Sequence, residues 1–194
     1  RTLIYQGSFY TILCKIVYFK LVGLSLSQQE FSRIVCIQGG VTMPTKPKIK
    51  IIDNNELRKE IDEIYENMNQ INVAKWSLSM AKHILKIVNI DYKSINEIEE
   101  GFRINELWQI KEARMYDVRQ AGFKIHKIAR ESDSEISKTA LRVVGQAVGS
   151  GHMKEHAMVA SDYAVKTIGL MSSNDLESIT LEREWQLNEI NKFL

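Results

Sequence analysis

The sequence predicts an all-α fold, a bundle of about six or seven mostly antiparallel helices. Three observations carry this. Only two prolines, Pro44 and Pro47, occur in 194 residues, and both precede the regularly patterned region; proline is the residue that most strongly interrupts a helix interior. Beyond them, apolar residues recur at spacings of three and four, the period of a helix with one buried face. After Ile52, no run alternates apolar and polar residues as a half-buried strand does.

The elements follow in order. Residues 44–52, PTKPKIKII, read as an extended basic arm, since the residue before a proline is pushed away from helical backbone angles. Asp53, Asn54 and Asn55 offer N-caps. Leu57, Ile61, Ile64 and Met68 then recur at four-three-four spacing as an amphipathic helix. A second helix is expected over residues 72–88, with Val73, Trp76, Ala81, Ile84, Leu85 and Val88 inward. Ser94-Ile95-Asn96-Glu97 fits a capping box opening a short helix that Gly101 closes.

The longest periodic stretch is residues 105–130, with Leu107, Ile110, Ala113, Val118, Ala121, Ile125 and Ala129 inward. Asp133 or Ser134 caps the next helix, whose apolar set is Ile136, Ala140, Leu141, Val144, Ala147 and Val148. Gly149-Ser150-Gly151 interrupts, and a helix over residues 153–171 presents Ala157, Ala160, Ala164 and Ile168. Ser173-Asn174-Asp175 starts the last helix, which carries Ile179, Trp185, Leu187 and Ile190. Trp76, Trp108 and Trp185 are expected in the core or at helix seams.

Charge and cysteine content divide the chain. Residues 1–42 hold four basic residues (Arg1, Lys15, Lys20, Arg33), one acid (Glu30) and both cysteines, Cys14 and Cys36. From Met43 onward there are 22 basic and 23 acidic residues, so the body is near neutral, no basic stripe with interleaved aromatics is expected, and non-specific nucleic-acid binding has little electrostatic support. It has no thiol for a disulfide or thiolate metal site. No run of about 18 apolar residues occurs, so a membrane span is not expected, and a cytoplasmic location is the plain reading. Gln38-Gly39-Gly40, whose codons can spell a ribosome-binding sequence, stands just before Met43. Residues 1–42 are therefore expected to be translated leader or a disordered extension, the competing reading being a helical or anchoring extension, and residues 43–194 a single helical domain.

Chemistry concentrates in Leu141–Lys166, LRVVGQAVGSGHMKEHAMVASDYAVK. His152 and His156 are four apart and would share one side of a helix, a spacing that suits two zinc or iron ligands, with Glu155, Asp162 or His126 needed to complete the shell. The HExxH pattern is absent, and histidine pairs more often cap or hydrogen-bond. Arg114, Arg119, Arg130 and Arg142 either converge for bidentate anion contacts or pair with Glu112, Asp117 and Glu131 on the helix surface. Gly145 and Gly149 form a small face expected to admit the Ala157–Ala160–Ala164 face. Tyr163 and Lys166 are three apart, not the four of a short-chain dehydrogenase pair, and Asp162 is expected to anchor a helix surface. No serine, cysteine or threonine has a recognisable catalytic partner motif.

Three segments carry a family resemblance: Trp76 and Ala81 in KWSLSMAKHIL; Arg119, His126 and Arg130 in VRQAGFKIHKIAR; and Arg142, Gly145, Ala147, His152, His156, Ala160, Tyr163 and Ala164 within Leu141–Lys166. Over about residues 72–170 the chain resembles bacterial immunity proteins with the immunity-protein-five-like all-helical domain. The resemblance implies a cytoplasmic, non-enzymatic protein without a cofactor that sequesters a cognate secreted or contact-dependent toxin. Binding residues on this reading are His126, His152, His156, Arg119, Arg130, Arg142 and Tyr163. Glu97, Glu99, Glu100 and Glu106 form the densest acidic cluster, suited to a basic toxin, against the plainer reading of a solvated helix face. The alternative is a helical metal-dependent enzyme or ligand-binding protein with zinc or iron on His126, His152 and His156.

Overall fold

The computed structural model describes residues 45–194, so the expectation of a leader over residues 1–42 lies outside the described residues. Among the described residues there are seven α-helices and no strand: α1 (Asn55–Asn67), α2 (Gln70–Ile87), α3 (Asn96–Gln109), α4 (Met115–Glu131), α5 (Glu135–Gly149), α6 (His156–Met171) and α7 (Leu176–Ile190). Single 3₁₀ turns occupy Tyr92–Ser94 and Asn191–Phe193. No described helix is long and apolar enough to cross a membrane.

Caps account for most boundaries. Asn54 Oδ1 accepts from Leu57 N at 3.2 Å, Asn69 Oδ1 from Asn72 N at 2.9 Å, and Asp175 Oδ2 from Ser178 N at 2.8 Å. Each satisfies one amide that the first helical turn leaves without a partner. Ser134, the second of the two predicted candidates, caps α5.

α5 is the centre of the bundle. It packs against α4 on one side and α6 on the other, with α2 and α3 also against it. Its apolar set is buried as expected from Ala140 to Val148, and Ile136 lies at the margin. Trp76 from α2 and Ile125 from α4 are fully buried. α1 packs on α7, which also touches α6 and α2.

Several helix ends lie elsewhere than the sequence indicates. Gly101 does not end a helix; α3 runs through it. A Cβ there would lie 2.7 Å from Ile125 Cδ1, so the glycine admits α4. Ser94 makes no capping box, because its hydroxyl donates to Asp91 O inside the 3₁₀ turn and Ile95 is the residue before α3.

The periodic stretch 105–130 is two helices. Lys111 adopts φ 66°, and Glu112 N donates to Leu107 O at 2.8 Å, a six-to-one hydrogen bond that closes α3. Arg114 N then donates to Asp117 Oδ2 at 3.1 Å and restarts the chain as α4. Ile110, expected inward, is consequently 63% exposed in the connection.

The helix predicted from residue 153 begins at His156. Gly149 O accepts from both His152 N (2.8 Å) and Met153 N (3.0 Å), which holds residues 150–155 as a turn.

The tightest seam lies between α4 and α5. A Cβ at Gly122 would stand 3.2 Å from the carbonyl oxygen of Gly145, and the opposing atom is backbone that has little room to move. Gly122→Val is expected to destabilise the protein by about 1–3 kcal/mol, seen as a lower urea midpoint. Wild-type stability in that variant would mean that the helices are not held this closely.

Candidate functional site

Two polar centres and two charged surfaces occupy the residues of interest. The first centre surrounds α5. Gly145 and Gly149, one turn apart, do not receive the alanine face of α6 as expected; they cradle imidazoles. A Cβ on Gly145 would come within 2.5 Å of His126 Cε1, and one on Gly149 within 3.2 Å of His156 Cδ2. Histidine rings from α4 and from the start of α6 thus fill the space that the glycines leave.

The imidazoles differ in environment. His156 Nδ1 lies 2.6 Å from Gln146 Oε1, an atom that only accepts, so the ring proton sits on Nδ1. His126 Nδ1 and His152 Nδ1 are buried with no hydrogen-bond partner among the described residues. Burial, reinforced by Arg142, His156 and Arg130, lowers the His126 pKa to about 4. Burial and then His152 lower that of His156. At neutral pH the His126 imidazole is uncharged and half-buried, and packs as an aromatic ring.

His152 does not share a helix face with His156, because it lies in the turn before α6. The two ring centroids are 6.1 Å apart and tilted by 34°. Among the described residues, no three histidine, cysteine, aspartate or glutamate side chains are placed to hold a metal ion together. The helical spacing that suggested a ligand pair is therefore not realised.

The arginines do not converge either. Arg119 and Arg130 are exposed on the outer side of α4, while Arg142 lies half-buried on α5 near His126. Arg114 makes the expected surface pair with Asp117 at 2.9 Å. Tyr163 is half-buried on α6 and packs against the core.

In the acidic cluster on α3, Arg103 binds both oxygens of Glu100 at 2.7 Å, and its guanidinium holds that carboxyl below the ordinary range. Lys82 binds Glu106 at 3.1 Å. Glu97 and Glu99 are exposed.

The second centre was not anticipated. Arg183 on α7 is 0% exposed, and all five of its N–H donors are used. Nε and Nη2 grip Asp53 at 2.8 and 2.6 Å, Nη2 also reaches Asp162 at 2.9 Å, and Nη1 reaches Gln186 Oε1 at 2.9 Å and Ser161 Oγ. Burial works against this cation, but the Asp53 and Asp162 carboxylates outweigh it and raise its pKa.

Asp162 also accepts a bidentate pair from Arg58, at 2.9 and 3.1 Å. Arg58 Nη1 donates to Thr45 O at 2.7 Å, and Asp62 accepts from Thr45 N at 2.7 Å and from the Thr45 hydroxyl. The network continues through Gln186 Nε2 to Glu182 (2.7 Å) and from Glu182 to His83 Nε2 (3.1 Å), whose ring stacks on Trp185 with centroids 3.6 Å apart. Asp162, expected to anchor a helix surface, instead lies at the centre of a buried ion network. The available signal was the polar inward face of the last helix, where Glu182, Arg183, Gln186 and Glu189 recur at helical spacing.

The model of a family described as "Imm-5 like putative immunity protein" matches residues 63–193, about two thirds of the chain. No curated protein and no solved structure matches it.

Two outcomes follow from this geometry. Arg183→Ala leaves Asp53 and Asp162 buried beside a lost partner and is expected to cost about 3–5 kcal/mol in urea unfolding, whereas Arg103→Ala on the surface leaves the midpoint unchanged. His126, uncharged when folded, takes up a proton more readily when unfolded. Its contribution is thus complete above about pH 6.5 and is lost as pH falls toward 4. Between pH 7 and 4.5, His126→Gln is expected to lose about 2 kcal/mol less than wild type; parallel titrations of the two proteins would contradict this.

Proposed function

The chain belongs to the Imm-5 like putative immunity protein family, and from that premise we propose that it is a non-enzymatic protein that binds and neutralises a cognate bacterial toxin. The match over residues 63–193, which takes in all but the start of the helical body, carries the reading. A protein of this kind acts in the cytoplasm of the producing cell and works through the fit of a stable surface.

The architecture supports such a role. The described body is cross-braced from Thr45 to Glu189 by side-chain hydrogen bonds joining the arm, α1, α2, α6 and α7. A surface held by such a frame loses little conformational entropy when it binds. The imidazoles fit this reading as ring-shaped packing groups on Gly145 and Gly149. Their substitution changes the stability or shape of the scaffold and removes no reaction step.

The test is growth rescue. The toxin gene nearest to the gene for this chain is induced in a sensitive bacterial host, with or without the chain. Growth arrest by the toxin alone, growth with both, and a stoichiometric complex of the two purified proteins are expected. Equal killing in both cultures sinks the proposal.

A further inference from the structure

On α4, Tyr116, Arg119, Phe123, Lys127 and Arg130 fall at spacings of three, four, four and three, a single helical face opposite the buried Val118, Ile125 and Ala129. All five are exposed, with Tyr116 at 58% and Phe123 at 52%. The Arg119 guanidinium lies 5.3 Å from the Phe123 ring centroid, and that of Arg114 6.0 Å from Tyr116, so cations and aromatic rings form one continuous surface, a basic stripe with interleaved aromatics that the near-neutral composition argues against.

The charges on this face are uncompensated. Arg119, Lys127 and Arg130 take part in none of the ion pairs among the described residues, whereas the nearby Arg103 and Arg114 each have a carboxylate. Half-exposed aromatic rings flanked by arginine are the residue types that concentrate binding energy at protein interfaces. Like-signed side chains with no internal partner attract the opposite sign.

We infer that the outer face of α4 is the toxin-docking surface, and that the toxin meets it with carboxylates around an apolar recess that takes Phe123. The inference rests on the immunity reading. Its sign is opposite to that of the basic toxin suited to the acidic cluster of α3. Two of those four glutamates are already bound by Arg103 and Lys82, while the cations of α4 are not.

An acidic protein fits better than a nucleic acid. The body has 22 basic and 23 acidic residues, and α3, with exposed Glu97 and Glu99, packs beside α4 where a phosphate backbone would have to continue.

The test measures the affinity of the full chain for the purified toxin encoded beside it, at low and high salt. Phe123→Ala is expected to weaken binding about tenfold or more. Arg119→Glu with Lys127→Glu is expected to weaken it about a hundredfold, mainly by slower association, and to remove the salt dependence. Arg119→Lys recovers most of the rate, and unchanged melting temperatures show that the variants fold. Glu97→Lys with Glu99→Lys on α3 leaves binding within about threefold.

If the α4 variants bind and protect like wild type, this face is not the contact, although the immunity reading survives. Loss of binding in the α3 variant alone would place a basic toxin there and overturn the inference. So would wild-type binding to a 30-base-pair DNA or RNA duplex that the α4 charge reversals abolish. A wild-type chain that neither binds the toxin nor protects against it brings down both readings.

Discussion

A guanidinium removed from water must be neutralised and have every N–H bonded, and Arg183 imposes that constraint on much of this molecule. Its partners come from the arm (Asp53), from α6 (Ser161 and Asp162) and from its own helix (Gln186). Asp162 in turn requires Arg58 from α1, and Arg58 requires the carbonyl of Thr45. Apolar contacts have no direction, whereas each N–H and each carboxylate of this network needs a partner placed to meet it. The network ties α1, α6 and α7 together by charge in addition to their apolar contacts, and it gives the polar side chains of α7 partners in the interior.

Close approach of backbones supplies the complementary constraint on the other side of the bundle. Gly122 and Gly145 bring α4 and α5 together, while Gly145 and Gly149 leave room for imidazoles. Histidine is large and flat, and it is uncharged when desolvated, so at neutral pH it fills such a niche without a counter-ion. The price is two buried ring nitrogens without a partner among the described residues, at His126 and His152. The glycines and histidines that give Leu141–Lys166 its character are thus two halves of one packing arrangement.

Much of the fold was legible because it depends on local rules. The apolar sets of α1, α2, α5 and α6 face inward as their spacing indicates, and Asn54, Ser134 and Asp175 cap where a hydroxyl, amide or carboxylate precedes a periodic run. The errors arise where a local signal had two meanings. Gly101 can end a helix or admit a neighbour, and only the approach of Ile125 selects the second. Lys111 in a left-handed conformation splits one apparent period into two helices, and lysine is not the residue that announces such a turn. The buried network was opaque for a deeper reason. Arg58, Asp162 and Arg183 are 104 and 21 residues apart along the chain, and each alone reads as a solvated surface charge.

The arm before α1 deserves a different status from that of a connector. Thr45 and Asp53 precede residue 63, where the family match begins, yet they hold the ends of the network that centres on Asp162 and Arg183. A fragment cut to the matched span would lose Asp53 and Arg58 alike, leaving Arg183 with one carboxylate, Asp162, where it had two. The unit that must be inherited, cloned or transplanted intact therefore begins before its most recognisable portion, at a short tether whose side chains complete the electrical neutrality of the interior.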